Sequence, residues 1–487
     1  MTGKAILAID EGTTNSKAVL VSHAGDIIAS ASAPVPISHP KSGWVEQDAE
    51  AIWQATATAI AECLKKAPET EIVALGISNQ RESILIWDRN TGRPLGSVIS
   101  WQCRRTADAC RALREAGHEA DVIARTGLPL DPMFPATKVA WLLDNHGRAA
   151  SDICIGTVDS WLIWRLSGGS VHATDRSNAA RTQLFNLAAG CWDDDLCRLF
   201  GVDPAMLPSV FDSAHIFAAT KDAGVLPDGL PIASAIGDSH AALFSHAAFA
   251  TGDGKMTFGT GSSVMTTLAD YIVPPDGITT TIAWSIAGRP TFAFEGNILV
   301  SASIFPWTAE LLGLESVEAL LALAETVEDT GGVALVPAHV GLGSPHWDAD
   351  ARGLVCGLSF STRPAHIARA AAESLAFQVR DVYAIMAKAA GHVGRISVDG
   401  GPSRNRFLMQ LVADYLDRPV TPCRNAEASA IGAAHLAGLA VGFWPDLEAL
   451  SALARREPEI APSMPADRRD RSIGEWTKAI ARTTFAV

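Results

Sequence analysis

A short polar turn near the start of the chain combines residue types that can hold a phosphate group and a metal ion. An apolar β-run from Ala5 ends in Asp10, the turn Gly12-Thr13-Thr14 follows, and a second β-run covers Ala18 to Val21. A Gly-Thr-Thr turn at a strand end can bring backbone N–H groups and two hydroxyls close to an anion. Asp10, just before the turn, is suited to hold a hydrated cation that the anion also touches. The alternative is an ordinary hairpin with a polar tip.

A second turn of the same type lies far along the chain. The segment from Lys255 to Leu268 reads as an apolar strand, the turn Gly259-Thr260-Gly261-Ser262 and another apolar strand. One such hairpin opens each half of the sequence, which predicts two related domains that face each other across one nucleotide. The repeat is short, so it supports this interpretation without settling it.

Polar residues that could bind hydroxyl groups follow two predicted strands of the first half. The apolar strand Ile72 to Ser78 stops at Asn79-Gln80-Arg81-Glu82, the position where open α/β sheets bind their ligands. Arg81 offers forked donors and Glu82 an acceptor, a pair suited to adjacent hydroxyls, although a surface salt bridge is the alternative. Trp101 follows the strand-like run 97–100 and is predicted to open a helix. Its indole could pack against a sugar or polyol, or belong to the core.

Two further strand ends carry candidate residues. The strand Ile232 to Ile236 leads into Gly237-Asp238-Ser239-His240 and a predicted helix from Ala241 to about Ala250. An aspartate at such a junction can point into a cleft as a general base, or it can cap the helix. In the second half, a strand ending at Asp399 is closed by Gly400-Gly401, where a backbone without side chains could admit an adenosine next to Asn405. A plain packing turn is the alternative.

The elements that position these residues predict an α/β chain of two domains, 1–247 and 248–487. The polar segment from Asp175 to Thr182 is interpreted as a structural loop. Helices are predicted at 49–66, 136–146, 297–312, 366–390, 402–415 and 426–441.

The amino-acid composition of the chain limits the classes of function that the protein can have. The chain has 487 residues, of which 48% are hydrophobic and 19% charged, enough for two or three packed domains. A net charge of -14 argues against a nucleic-acid or anionic-membrane surface. The eight cysteines form no CxxC pair, which indicates reduced thiols. With no leader-like or membrane-spanning run, we expect a cytoplasmic protein without membrane insertion.

Together these motifs resemble the glycerol kinase branch of the FGGY carbohydrate kinases, and the resemblance covers nearly the whole chain. The matching stretches are IDEGTTNSKAV, PKSGWVEQDAEAIW, GISNQRES, WQCRRTAD, MFPATKVAWLLDN, GTVDSWLIWRL, TFGTGSS, GLGSPHWD, VDGG and LAGLAVGFW. The resemblance implies two ribonuclease-H-like (actin-like ATPase) domains around a central cleft. It also implies ATP-dependent phosphorylation of a terminal hydroxyl of a small polyol with Mg²⁺, and a homodimer or homotetramer.

The resemblance also assigns roles by position. Asp238 matches the general base, and Asp10 with Asp238 matches the metal-associated carboxylates. The nucleotide contacts that it implies are Thr13, Thr14, Asn15, Lys17, Gly259, Thr260, Gly261, Gly400, Gly401 and Asn405. Lys17 stands where glycerol kinases usually have Arg. The substrate contacts that it implies are Arg81, Glu82, Trp101, Met133, Asp238, Ser239 and Ser263.

Three departures bear on the substrate. Met133 stands where glycerol kinases have Tyr, Ser239 where they have Gln, and Ser263 where they have Phe. The two serines are smaller, so a larger polyol or a ketose such as a tetritol, erythrulose or xylulose is the alternative to glycerol, and Ser239, His240 and Ser263 could bind extra hydroxyls. A regulatory Gly-Gly-x-Gly-Gly-Thr-Arg loop is missing near 222–230. An alternative of another class is an actin-like nucleotide-binding regulator without phosphotransfer.

Overall fold

The computed structural model describes residues 3–144, 150–424 and 427–484. In the first half the strands are β1 (Lys4–Glu11), β2 (Asn15–Ser22), β3 (Ile27–Pro34), β4 (Glu46–Gln47), β5 (Glu71–Asn79), β6 (Ile84–Asp88), β7 (Val98–Ile99), β8 (Ile153–Thr157), β9 (Ala173–Asp175), β10 (Phe185–Asn186), β11 (Cys191–Trp192), β12 (Ser209–Phe211), β13 (Ala214–Ala219) and β14 (Pro231–Gly237). The α-helices of this half are α1 (Ala49–Lys65), α2 (Ala107–Glu115), α3 (Glu119–Thr126), α4 (Pro135–Asp144), α5 (Val158–Leu166), α6 (Arg176–Ala179), α7 (Asp194–Leu199) and α8 (Asp238–Ser245).

The second half also consists of alternating strands and helices. Its strands are β15 (Gly254–Phe258), β16 (Ser262–Leu268), β17 (Thr279–Ile286), β18 (Arg289–Ile298), β19 (Ala334–Val336), β20 (Leu354–Cys356), β21 (Ile396–Gly400) and β22 (Thr421–Pro422). Its α-helices are α9 (Ile304–Leu311), α10 (Val317–Glu325), α11 (Pro364–Ala390), α12 (Arg406–Leu416), α13 (Ala428–Ala440), α14 (Leu447–Leu453) and α15 (Ala466–Thr483). Short 3₁₀ helices cover Ala150–Asp152, Pro204–Met206 and Gly401–Arg404.

The larger sheet of the first half brings its strand ends to one edge. Its strand order is β13-β14-β5-β1-β2-β3, and β1, β5 and β14 run parallel to one another. Asp10 pairs with Ser78, and Gly237 pairs with Asn79. The carboxyl ends of the three parallel strands therefore deliver Asp10, Arg81 and Asp238 to the same edge.

The larger sheet of the second half repeats this plan. Its order is β17-β18-β16-β15-β21-β22. β15 pairs with β21 in parallel, whereas β16 pairs antiparallel with both of its neighbours, β15 and β18. Phe258 pairs with Gly400, so the turn at Gly259 and the turn at Gly400 lie side by side. The hairpin repeat seen in the sequence thus corresponds to two related sheets, and the predicted α/β fold is confirmed.

The packing of α13 joins the two halves. Ala433 and Leu436 of this helix share a buried core with Ile6 and Val19 of the first sheet. Gly432 lies so close to α8 that a Cβ atom there would come within 2.0 Å of the Ala241 carbonyl oxygen. This close contact explains why α13 consists largely of alanine and glycine.

Four local predictions were wrong. Trp101 lies in a turn, since its N–H donates to Ser83 Oγ (3.1 Å) and not to a helical carbonyl, and the next helix begins at Ala107. The helix predicted from 297 starts at Ile304, because β18 continues through Ile298. α8 begins at Asp238 itself and ends at Ser245. The segment 175–182 is not a loop throughout, since Asp175 caps α6.

Some predicted helix ends, at 145–146 and 426, lie outside the described residues. Among the helices that the structure describes, none combines the length and the apolar character needed to cross a bilayer.

Candidate active site

Two carboxylates stand at the edge of the first sheet. Asp10 accepts a hydrogen bond from Ser78 Oγ at 3.0 Å, and Asp238 opens α8. Burial, and then the nearby charge of Asp238, raise the pKa of Asp10 to about 7. A cation between the two carboxylates would offset this repulsion. Mg²⁺ commonly binds one or two carboxylates and completes its shell with water and phosphate oxygens, so these residues fit it.

Arg81 forms ion pairs with Asp238, the candidate general base, and with Glu295 in the second half of the chain. Its Nε lies 3.2 Å from Asp238 Oδ1, and its two terminal nitrogens lie 2.8 and 2.9 Å from the carboxylate of Glu295 in β18. Burial alone would lower the pKa of Arg81, but Glu295 and other neighbouring carboxylates raise it. A Cβ atom at Gly237 would come within 2.6 Å of the Arg81 side chain, so glycine there leaves room for it.

Glu82 lies beside a second buried arginine, which the sequence did not reveal as a site residue. Arg181 Nε donates to Glu82 Oε1 at 2.6 Å, and Arg181 Nη1 lies 2.9 Å from Glu295 Oε2. Glu82 has φ of 62°, a left-handed conformation unusual for a residue with a side chain. The sequence carries one indication of this role. Arg181 lies between the apolar pairs 179–180 and 184–185, which favours burial, and a buried arginine needs carboxylate partners.

Trp101, predicted to contact the polyol, is hydrogen-bonded to the first turn predicted to bind phosphate. Its indole N–H donates to Thr13 Oγ1 at 2.9 Å. Lys138 holds the backbone of Met133 near the same region. Its Nζ donates to the carbonyl oxygens of Met133 and Ser100, both at 2.8 Å. Burial lowers the pKa of Lys138 to about 7. Lys138, another residue that the sequence did not single out, therefore holds the loop of Met133 against the turn that bears Trp101.

Ser239 and Ser263, the two serines predicted to contact the substrate, lie in contact with each other next to Asp238. Ser239 Oγ lies 3.1 Å from Ser263 Oγ, although they belong to different halves of the chain. The buried Lys255 donates to Ser239 Oγ and to Thr257 Oγ1, both at 2.9 Å. These hydroxyls and the ammonium group form a polar cluster that a substrate hydroxyl or carbonyl could join.

His240 does not line this cluster. Its side chain is fully buried, and its Nε2 lies 3.4 Å from Arg81 Nη1. Burial, together with Arg81, lowers the pKa of His240 well below its ordinary value. The prediction that His240 could bind an extra hydroxyl is therefore wrong, and its neutral ring packs behind Arg81.

The first predicted phosphate turn has an unexpected partner. Thr14 and Asn15 lie at its tip, where Asn15 Nδ2 donates to Thr14 Oγ1 at 3.1 Å. Lys17, predicted to contact phosphate, forms an ion pair of 2.8 Å with Glu427, the residue before α13. In the state that the structure describes, the Lys17 ammonium therefore links the hairpin to the second half.

The second phosphate turn is fixed by its own domain. The Thr260 carbonyl oxygen accepts from Ser301 N–H at 2.8 Å and from Ser303 Oγ at 2.9 Å. Within the turn the Gly259 N–H donates to the Gly261 carbonyl oxygen at 2.9 Å, and the Gly259 carbonyl oxygen accepts from the Ala302 N–H at 3.0 Å. The conformation of the turn 259–261 is therefore fixed by bonds within the turn and to the segment that follows β18.

The predicted adenosine turn borders a groove of about 410 Å³. Its lining residues are Gly400, Gly401, Ser403, Arg404, Pro422, Cys423, Arg424 and Glu457. Asn405 is not among them, since its Oδ1 accepts the Leu408 N–H at 2.9 Å and caps α12. The structure thus places Gly400 and Gly401, but not Asn405, on the groove.

Two sheets of the same plan, each with a glycine-containing turn at its edge, define the architecture of the chain. Family models for the FGGY carbohydrate kinases match the chain with their N-terminal domain over residues 5–245 and their C-terminal domain over residues 254–441. The chain belongs to the FGGY family of carbohydrate kinases and is a phosphotransferase, as the motifs predicted.

Relatives with different names match the chain to a similar degree. It is 46% identical to an apulose kinase of Pectobacterium atrosepticum over 485 residues, covering 98% of each chain. It is 44% identical to a glycerol kinase of Oceanobacillus iheyensis over 497 residues, covering 99% of each. Glycerol kinase of Plasmodium falciparum with ADP superimposes with a TM-score of 0.95 at 29% identity, over 100% of this chain and 99% of that one. A xylulose kinase of Rhodospirillum rubrum gives a TM-score of 0.89 at 26% identity, over 98% of each chain.

Proposed function

We propose that this kinase transfers the γ-phosphate of Mg·ATP to a terminal hydroxyl of a small polyol or ketose bound at the edge of the first sheet. The observation that carries the proposal is the position of Asp238. It lies in contact with Arg81, and its charge acts on Asp10, which directly precedes the first turn. Its neighbour Ser239 lies 3.1 Å from Ser263, which directly follows the second turn.

In the proposed reaction, Arg81 and Glu82 bind adjacent hydroxyls and Trp101 packs against the carbon skeleton. Burial raises the pKa of Asp238 and Arg81 lowers it, with a net upward shift that suits a group accepting a proton. As the hydroxyl attacks phosphorus, Asp238 takes its proton, while the N–H groups of the two turns face the phosphate oxygens. Asp10 and Asp238 would hold Mg²⁺, which neutralises charge on those oxygens.

For the acceptor, we propose a ketose of four or five carbons. Ser239 and Ser263 replace larger side chains of glycerol kinases and form a hydroxyl pair with the Lys255 ammonium at 2.9 Å. This cluster offers donors to an additional oxygen that glycerol lacks. Apulose, a branched five-carbon ketose, is a candidate because the apulose kinase is a full-length relative at 46% identity.

Glycerol is the second candidate. Arg81, Glu82 and Trp101, the residues expected to contact a three-carbon polyol, are all present in this chain. Arg81 contacts Asp238, Glu82 accepts from Arg181, and Trp101 donates to Thr13 of the first turn. The glycerol kinase relatives match the chain almost as well as the apulose kinase does.

A coupled ADP-release assay with Mg·ATP and a panel of acceptors separates the candidates. The panel contains glycerol, dihydroxyacetone, erythritol, erythrulose, xylulose, xylitol and apulose. We expect kcat/KM for a four- or five-carbon ketose to exceed that for glycerol by tenfold or more, about 1.4 kcal/mol in transition-state binding. A leading kcat/KM for glycerol would reject the ketose assignment, and no acceptor-dependent release with any member would reject this acceptor class.

A further inference from the structure

The segment that begins at Asp175 lies against the ends of both strands that lead to the candidate catalytic residues. Asp175 is the last residue of β9, and the short helix α6 follows it. β5 ends at Asn79, two residues before Arg81, and β14 ends at Gly237, directly before Asp238. The sequence pattern indicates only a structural role for this segment, and its contacts give it a more specific one.

A relay of hydrogen bonds joins Asp175 to the strand end at Gly237. Ser177 Oγ donates to Asp175 Oδ1 at 3.0 Å and accepts the Gly237 N–H at 3.0 Å. Asp175 and Ser177 are fully buried, and Gly237 is buried too. A backbone N–H in such a place needs an acceptor. Because the Ser177 proton is directed at Asp175, a lone pair of the same hydroxyl is left to face Gly237.

A second set of hydrogen bonds joins the same carboxylate to the strand end at Asn79. Asn178 Nδ2 donates to Asp175 Oδ1 at 2.9 Å and to Asn79 Oδ1 at 3.1 Å. Asn79 Nδ2 donates back to Asn178 Oδ1 at 3.0 Å and to the Gln80 carbonyl oxygen at 2.8 Å. The conformation of the chain that leads into Arg81 is therefore also linked to Asp175.

The Asp175 carboxylate is in turn held in place by its own neighbours. Its oxygens accept the N–H groups of Ser177 and Asn178, both at 2.9 Å, so that it caps α6. Its Oδ2 also accepts from Ser213 Oγ at 2.6 Å, and the Ser213 N–H donates to the Ser285 carbonyl oxygen in β17 at 3.0 Å. Both halves of the chain therefore fix the position of this carboxylate. Rigid support of this kind keeps reacting groups in the geometry that catalysis needs.

We infer that Asp175 is a positioning residue of the phosphotransfer reaction: through Ser177 and Asn178 it holds the two strand ends that deliver the general base and the acceptor-binding arginine. The inference rests on the proposed function, in which Asp238 accepts the proton of the acceptor and Arg81 binds its hydroxyls. Asp175 acts through other residues and takes no part in the proton transfer. A displacement of about 1 Å at a reacting group can lower turnover about 100-fold, so the alignment of the two strand ends affects the rate.

The variant Ser177→Ala tests the inference because it removes the relay to Gly237 and leaves Asp175 unchanged. We expect kcat with the preferred acceptor to fall about 10- to 100-fold. KM for Mg·ATP and the affinity for ADP should change less than about threefold, because the lost hydrogen bonds lie at neither turn predicted to bind phosphate. Steady-state kinetics with the acceptor panel and calorimetry with ADP measure these quantities.

Ser167→Ala is the matched control. Ser167 is as fully buried as Ser177, and its hydroxyl also makes one bond as a donor and one as an acceptor. It donates to the Trp164 carbonyl oxygen and accepts the Val171 N–H, both at 3.2 Å, and neither partner belongs to β5 or β14. Both variants should lower the urea midpoint of unfolding, whereas Ser167→Ala should keep its kcat. Equal kcat values for the two variants would overturn the inference.

Asp175→Asn is the second variant, and it carries the test if Ser177→Ala does not fold. It keeps the volume of the side chain but places an amide donor against the N–H groups of α6, so kcat should fall while KM for Mg·ATP is kept. In the double variant the loss should be smaller than the product of the two single losses, because both changes act on one relay. Fully independent losses would show that Asp175 does not act through Ser177 and would overturn the inference.

Failure of the proposed function gives a different result. No acceptor-dependent turnover in the unsubstituted protein would reject the function and this inference with it. Full kcat in Ser177→Ala, with the unsubstituted protein active and Asp238→Asn inactive, would reject the positioning role alone.

Discussion

Glu295, in the second sheet, forms ion pairs with Arg81, in the first half of the chain, at 2.8 and 2.9 Å. The same carboxylate lies 2.9 Å from Arg181, which holds Glu82. Burial would raise the pKa of Glu295, but Arg81 and Arg181 lower it, so this carboxylate stays ionised inside the protein. The two residues predicted to bind the acceptor are therefore positioned by a charge from the opposite domain.

Glu295→Gln tests this positioning. The variant keeps the volume but leaves two buried arginines with less compensating charge, so we expect kcat/KM for the acceptor to fall about 10- to 100-fold. KM for ATP should change less than threefold, because the pair does not touch the phosphate turns. Steady-state kinetics with the acceptor and with ATP measures the two effects separately. An unchanged KM for the acceptor would contradict the role of Glu295 in positioning Arg81 and Glu82.

The role of Asp238 is tested by Asp238→Asn. Loss of a general base lowers the turnover about 10²- to 10⁴-fold. Binding of ADP, followed by calorimetry, should persist, since the groove at Gly400 is untouched. A matched variant, Asp203→Asn, changes a capping aspartate away from the cleft and should keep its turnover. Turnover retained in Asp238→Asn would remove this residue as the base.

The pocket substitutions are tested by Met133→Tyr combined with Ser263→Phe. Both additions fill space near the Ser239 hydroxyl and the Trp101 turn, so the ratio of kcat/KM for glycerol to that for a five-carbon ketose should rise at least tenfold, about 1.4 kcal/mol. Met133→Leu is the control, since it keeps an aliphatic side chain of similar size. An unchanged ranking of acceptors would show that these positions do not set the pocket size.

The sequence predicted what local patterns can specify. Gly-Thr turns between apolar runs located both hairpins, and polar residues after Ser78 and Ile236 located the edge of the sheet. Lys255 was not predicted, although its partners Ser239 and Thr257 are 16 and 2 residues away, because the sequence does not show which way a side chain of β15 points. Arg181 and Glu295 were not predicted because their partners are distant in sequence: Arg81 and Glu295 are 214 residues apart, and Glu82 and Arg181 are 99 apart. The apolar neighbours of Arg181 indicate that it needs carboxylate partners, but a single sequence does not show which distant residues those partners are. His240 was misassigned for a related reason, since a histidine next to a catalytic candidate does not show which way it faces.

The pKa of Asp10 leads to a test of the metal site. Its pKa is raised from 3.8 to about 7, mainly by burial and then by Asp238. A carboxyl group whose pKa is raised on folding binds protons more tightly in the folded state, so the free energy of unfolding falls as pH rises from about 4 to 7. Asp10→Asn removes this penalty.

Without Mg²⁺, Asp10→Asn should therefore be more stable than the unsubstituted protein at pH 8, by roughly 1 to 3 kcal/mol, and little different at pH 4.5. Urea unfolding at both pH values measures the difference. The variant should also need a higher Mg²⁺ concentration for half-maximal turnover, because one of two carboxylates is gone. Equal stability of the two proteins at pH 8 would show that Asp10 is not electrostatically strained, and an unchanged Mg²⁺ requirement would place the metal elsewhere.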